Sequence, residues 1–221
     1  MRGASAFQTA VMIAVAVIAW TGVALQASVT VPARMALGDS APAAVAHMLG
    51  YFAVLTNALV AVSLTVAVLQ PRSRLGRFFA HPDIATGVTL SMVMIGAVYS
   101  IFLRKLWPSA GLQHIANVFL QYVAPWSYAL YWAIGVPRFN PRLRSLGQWL
   151  VFPACYCLTV MVRRWASAGP PYFFLDVQRW GMARVLVNCG WIAAGFLALG
   201  LLLIALDHLK PRTAAVPGRS R

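Results

Sequence analysis

The chain has 221 residues, of which 61% are hydrophobic and 10% charged, and it carries a formal net charge of +14. A soluble globular domain has about half its residues apolar and about a quarter charged, so this composition excludes that class. The basic residues are scattered over every polar connection and not gathered on one face, which excludes a nucleic-acid-binding surface as the meaning of the charge.

In chain order, six apolar stretches stand out, at residues 6–26, 48–69, 84–103, 112–136, 149–162 and 185–206. A stretch of about 20 apolar residues crosses a hydrocarbon core of about 30 Å at ~1.5 Å per helical residue. The fifth stretch is the shortest. The expected fold is therefore all-α, a polytopic transmembrane bundle of six helices. It forms a single domain over residues 1–209, followed by a disordered basic cytoplasmic tail, residues 210–221, built from Pro, Ala, Gly, Ser and Arg. The first stretch has one arginine before it and no small-x-small cleavage site near Gln26. It also exceeds the apolar length of a secretory signal, so a retained helix is expected. Eleven Lys and Arg residues fall on the side of the N-terminus and seven on the other. The excess of positive charge places both termini in the cytoplasm.

Polar residues inside spans are costly and mark either helix–helix contacts or a site. The fourth stretch is the richest. His114, Asn117, Gln121 and Pro125 follow steps of 3, 4 and 4, which on an unbroken α-helix share one face. Thr56 and Asn57 stand in the second stretch. Asn57 and Gln121 each lie about 9 residues from the outer end of their stretch, a common depth of about 13 Å. Asn188, at the outer end of the last stretch, and Tyr156 and Thr159 in the fifth extend the same group. Together they predict a neutral, hydrogen-bonding pocket open toward the outer leaflet. The chain has no Glu and no Asp within a predicted span, which argues against a proton-coupled carrier.

The remaining chemistry-bearing residues read as follows. Cys155 and Cys157 point about 200° apart on a helix, so they share neither a metal nor a disulfide, and Cys189 stands alone; all three read as small apolar fillers. His47 and His114 open the second and fourth stretches at similar depth, the arrangement of two axial haem ligands. Both sit at the boundary where a solvated histidine is ordinary, so neither a cofactor nor a metal is expected. The connection from Arg163 to Arg184 is too aromatic for a solvated loop, and its rings are expected at headgroup level. In it, Asp176 can pair with Arg179 or Arg184, and its arginines can attract an anionic head group. Gly190, Ala194 and Ala198 recur every four residues and predict close approach of the last helix to a neighbour.

Three segments in order carry a family resemblance: Tyr51-Phe52-Ala53-Val54-Leu55-Thr56-Asn57, Leu120-Gln121-Tyr122-Val123-Ala124-Pro125, and Tyr172-Phe173-Phe174-Leu175-Asp176-Val177. Over nearly its whole length the chain resembles the bacterial "Pr-six-Pr" membrane proteins, relatives of the eukaryotic androgen-induced (FAR/AIG-type) membrane proteins. The eukaryotic relatives imply a threonine hydrolase acting on fatty acid esters of hydroxy fatty acids. Such an enzyme uses an intramembrane Thr nucleophile on an early helix and a His on a later one. A hydroxyl needs a nearby base, and a buried site needs donors for the developing oxyanion. The family's first motif usually has a second Thr or Ser; here Ala53 and Thr56 are the two positions that can correspond to the nucleophile. Gln121 stands where the relatives resemble His-Tyr-Val-x-Pro, and His114 lies two turns earlier.

Two functions follow as expectations, both in a bacterial cytoplasmic (inner) membrane protein. In the first, a lipid-like ester is hydrolysed with Thr56 as nucleophile and His114 as base. Asn57, Asn117 and Gln121 then orient the substrate or its oxyanion, and Tyr156, Asn188 and Asp176 complete the binding site. In the second, the protein holds a lipid or amphiphile without chemistry, or serves as a carrier or structural component. The expected partners are the bilayer and a lipid or fatty-ester ligand, with no nucleic acid; the oligomeric state is not legible.

Overall fold

The computed structural model describes residues 5–106, 108–165 and 172–210, and all regular structure among them is helical. The elements are α1 (Ala6–Ala36), α2 (Ala41–Met48), α3 (Phe52–Leu69), α4 (Arg74–Phe79), α5 (Pro82–Val98), α6 (Arg104–Leu106), α7 (Gly111–Val118), α8 (Ala124–Gly135), α9 (Leu143–Trp165) and α10 (Val177–Leu209). A π-turn, Tyr99–Leu103, joins α5 to α6, and a second, Phe119–Val123, joins α7 to α8. Four helices are long and apolar enough to cross a membrane: Ala6–Ala36, Phe52–Leu69, Pro82–Leu103 and Val177–Leu209. That set is the mark of a membrane protein. The predicted fourth and fifth stretches are helical but fall outside this set.

Helix starts follow capping chemistry. The hydroxyls of Ser5, Ser40 and Ser73 accept hydrogen bonds from the N–H groups of Gln8, Ala43 and Gly76, and the Asp176 carboxylate accepts from Gln178 and Arg179. Each cap satisfies donors that the first helical turn leaves over. α1 outruns its predicted end by ten residues, past Gln26, Ser28, Thr30 and Pro32. Those polar side chains find partners locally, Gln26 Nε2 on Thr30 Oγ1 at 2.7 Å and Ser28 Oγ on the Leu25 carbonyl at 2.8 Å, so they do not end the helix. Arg34 and Asp39 then close the corner to α2 with a 2.6 Å ion pair.

The second predicted stretch is not one helix. The chain breaks at residues 49–51, and α3 starts at Phe52. Tyr51 gives α3 no side-chain cap; the Phe52 N–H donates instead to the phenol oxygen of Tyr172, at 3.1 Å. Asn57 therefore sits about 8 Å along its helix.

Pro125 explains the second π-turn. Ala124 N–H donates to the carbonyl of Phe119, five residues back. In that register the Leu120 carbonyl would take the N–H of residue 125, which proline lacks. Asn57 fills the vacancy: its Nδ2 donates to Leu120 O at 3.0 Å and to Ala53 O at 2.7 Å.

α5 is the central rod, buried along nearly all of Ala85–Gly96 and packed against α3, α8, α9 and α10, while α1 packs on α3 and α8. Two ends can be told apart. At one, Gln8 Nε2 donates to Gly135 O at 2.6 Å, Trp132 Nε1 to Thr86 Oγ1 at 2.8 Å, and Trp149 Nε1 to Asp83 Oδ1 at 2.8 Å. Asp207, fully buried, accepts there from the Phe139 and Asn140 N–H groups. Lys210 Nζ donates to the carbonyls of Trp132 and Val136 and lies 3.6 Å over the Trp132 ring. Lys210 is thus a fixed residue that finishes α10, not the start of the expected tail; residues 211–221 lie outside the described residues. α10 also carries Asp207 within its last turn, beyond the predicted span end.

The small-residue stripe of α10 does not make the close contact expected of it. Gly190, Ala194 and Ala198 are exposed, and a Cβ on Gly190 would meet nothing within 4 Å. The close approaches are at Gly195, where a Cβ would stand 3.0 Å from Met94 Cε, and at Gly200, where it would collide with Leu146 Cδ2. They flank the stripe, each turned about 100–120° from it around the helix.

Candidate functional site

At the other end of the bundle, α3, α5 with its π-turn, α9 and α10 enclose a partly open cavity of about 370 Å³. Its wall is mainly apolar, from Phe52, Met94, Ile95, Leu150, Ile192 and Phe196 among others, and the Tyr172–Leu175 segment borders it. Hydrogen-bonding atoms come from Gln121, Tyr156 and Tyr172, with the thiols of Cys157 and Cys189. The pocket that the sequence predicts as polar is thus an apolar chamber with a few polar groups.

Phe52 is its aromatic centre. Its ring lies 4.9 Å from Tyr156, 5.5 Å from Phe152 and 6.2 Å from Phe196, centroid to centroid. Tyr172 stacks on Phe174 at 5.2 Å. Tyr156 donates its hydroxyl to the Gly50 carbonyl at 2.8 Å, and the Tyr172 phenol accepts from the Phe52 N–H. These two phenols are therefore committed to holding the α2–α3 break and the start of α3. Burial pushes the Tyr172 phenol up to about 12, against the lowering effect of the backbone N–H groups of Ala53 and Phe52. Tyr156 also separates the chamber from a recess of about 160 Å³ bordered by Leu49, Gly50, Leu55, Cys155 and Thr159.

The remaining expected site residues distribute as follows. Thr56 is fully buried, and its hydroxyl donates to the Phe52 carbonyl at 2.7 Å. Neither it nor Asn57 borders the chamber. His114 is exposed on α7. Asn117 Nδ2 donates to Ser109 Oγ at 3.0 Å, and its Oδ1 accepts from Gln113 Nε2 at 2.9 Å. Gln113 in turn bonds Gln26 of α1 at 3.0 Å. Asn117 and Gln121, expected on one face, serve different neighbours because the Phe119–Val123 π-turn separates them and changes the helical phase. Asp176 is a helix cap, and Asn188 Nδ2 holds the Phe174 carbonyl at 2.8 Å. Both residues tie down the Tyr172–Leu175 segment. The side chains of Arg163 and Arg164 lie outside the described residues.

Three features escaped sequence reading. The two π-turns meet through Tyr99 and Tyr122, whose rings lie edge-to-face at 5.4 Å, and both border the chamber, through Leu103 and Gln121. Pro125 inside an apolar stretch was the visible signal for one of them. Cys157 of α9 and Cys189 of α10 border one chamber, which no sequence signal announced. Gln121 is the chamber's one amide side chain, and among the described residues no hydrogen bond engages it. Compared with protein-family models, curated proteins and solved structures, the chain matches none.

Proposed function

We propose that this chain is a six-span protein of a bacterial cytoplasmic membrane, with both termini inside. In this reading it holds a lipid-like amphiphile in the chamber without transforming it, a non-catalytic relative of the Pr-six-Pr proteins. The carrying observation is the chamber itself, which has the size of small-molecule sites, roughly 300–1,000 Å³, and their apolar lining with few polar groups. Gln121 is the group left to receive a head group, and an amide suits a neutral carbonyl or hydroxyl. Helices α7 to α8 and α9 supply the fourth and fifth crossings in this reading.

Hydrolysis has less support. A nucleophilic Thr56 would have to give up its bond to the Phe52 carbonyl inside fully packed surroundings, and exposed His114 is not joined to it. The test uses protein purified in mild detergent and a fluorescent fatty-acid methyl ester. Ala193→Trp, which fills the chamber from α10, is expected to weaken binding at least tenfold at unchanged melting temperature. Gln121→Leu is expected to weaken the ester about fivefold, the loss of one hydrogen bond of about 1 kcal/mol, and to leave a hydrocarbon probe unaffected. Unchanged binding in Ala193→Trp overturns the reading. Fluorophosphonate labelling that disappears in Thr56→Ala restores the hydrolase.

A further inference from the structure

Two residues of the chamber wall also belong to the outer surface of the bundle. Ala154 of α9 and Ala193 of α10 border the chamber and are exposed, whereas its other described lining residues are buried or half-buried. Helical phase turns both alanines away from the central rod. On α9, Trp149 marks the side facing α5, since a Cβ on Gly87 would stand 2.9 Å from its ring. Ala154 is five residues further on, about 140° around the helix. On α10, Gly195 marks that side through Met94, and Ala193, two residues back, lies about 160° around. The two helices meet above and below this level. Val160 clusters with Val185 toward one end, and Leu146 closes on Gly200 toward the other. Between those contacts the seam carries only the two methyl groups. Pro153, beside Ala154, also has no N–H for the Trp149 carbonyl, so α9 lacks a ladder bond at this point.

The seam faces hydrocarbon. The nearest charged residues along the helices are Arg163 and Arg144 on α9 and Arg184 and Asp207 on α10. Each is nine or more residues away from its alanine, about 13 Å or more along the axis, close to half of a 30 Å core. No charged residue lines the chamber among the described residues, and an ionised group is costly in such surroundings. We propose that the chamber opens sideways into the bilayer through a window between α9 and α10, framed by Ala154 and Ala193, and that its occupant is an uncharged amphiphile already dissolved in the membrane. The occupant rests on the reading that the chamber holds an amphiphile; the window does not. Such a molecule enters from the lipid without crossing water, with its polar end toward Gln121 and its chain toward the seam.

The test uses the full chain in phosphatidylcholine vesicles. Cys157, on the chamber wall, is labelled with bimane in a Cys155→Ser, Cys189→Ser background. A nitroxide carried on a phosphatidylcholine chain is expected to quench the bimane several times more strongly than aqueous iodide. Stronger quenching by iodide would mean that the chamber opens to water and would overturn the window. In the otherwise unaltered chain, Ala154→Trp is expected to slow both entry and escape of a fluorescent fatty-acid methyl ester at least fivefold. Unchanged rates, or faster escape, which filling the chamber alone would cause, would overturn the window as well. Nitroxide quenching in a chain that binds no ester would keep the window and overturn the occupant, so the two failures are told apart.

Discussion

Asn57 shows how one residue can carry a structural decision made elsewhere. Pro125 removes a donor from the rod formed by α7 and α8, the π-turn leaves the Leu120 carbonyl without a helical partner, and Asn57 Nδ2 supplies one from α3 at 3.0 Å. Its own Oδ1 is buried and without a hydrogen bond, so the side chain is retained at a cost. An unsatisfied buried acceptor costs about 1–3 kcal/mol. Asn57→Ala removes that unsatisfied oxygen but strands the Leu120 carbonyl and leaves a cavity, so it should lower stability by about 1 kcal/mol net in thermal unfolding, followed by circular dichroism in detergent. Pro125→Ala returns a backbone N–H to the rod, so Asn57→Ala should cost markedly less in the Pro125→Ala background. Equal costs in both backgrounds would mean that the two residues are uncoupled. The sequence marked Asn57 and Pro125 separately; their connection depends on a π-turn, which leaves no periodic trace.

At the scale of elements, helix existence was legible and helix limits were not. Apolar length announced α1, α3, α5 and α10, because membrane thickness dictates it. The break at residues 49–51 was hidden because Gly50 and Tyr51 sit in an apolar context, and what fixes the break is a phenol from a distant segment. Small residues likewise had to be judged by neighbours. A Cβ at Gly76, in α4, would collide with the Gln70 carbonyl oxygen and stand 2.9 Å from its carbon. Backbone atoms cannot swing aside, so Gly76→Ala should destabilise by about 3 kcal/mol. Gly190→Ala meets nothing and should be neutral or stabilising by up to ~1 kcal/mol. Melting temperatures of the two variants, compared with wild type, check both signs.

For the whole molecule, the chamber end is held by the Tyr172 phenol, which joins the α9–α10 connection to α3. Because its pKa in the fold is raised to about 12 from an ordinary 10, the fold favours the neutral phenol. That stabilisation is complete below about pH 10 and is lost as pH climbs toward 12. Unfolding free energy should drop by on the order of 2 kcal/mol through that window, and Tyr172→Phe should flatten this part of the pH profile. Most of the candidate polar residues are spent on structure. Thr56, Asn117, Asp176 and Asn188 each satisfy a neighbour, and Gln121 and Tyr156 reach the chamber. Sequence gives depth along a helix; which wall a residue joins depends on helical phase, and phase is what a π-turn alters. Each such turn holds a surplus residue, and a surplus residue is a stored rotation of about 100°. Deleting any one residue of Phe119–Val123 would discharge it, swinging α7 about its axis relative to α8 and carrying Gln113 away from Gln26. This helix tolerates exchange of its letters far better than a change in their number.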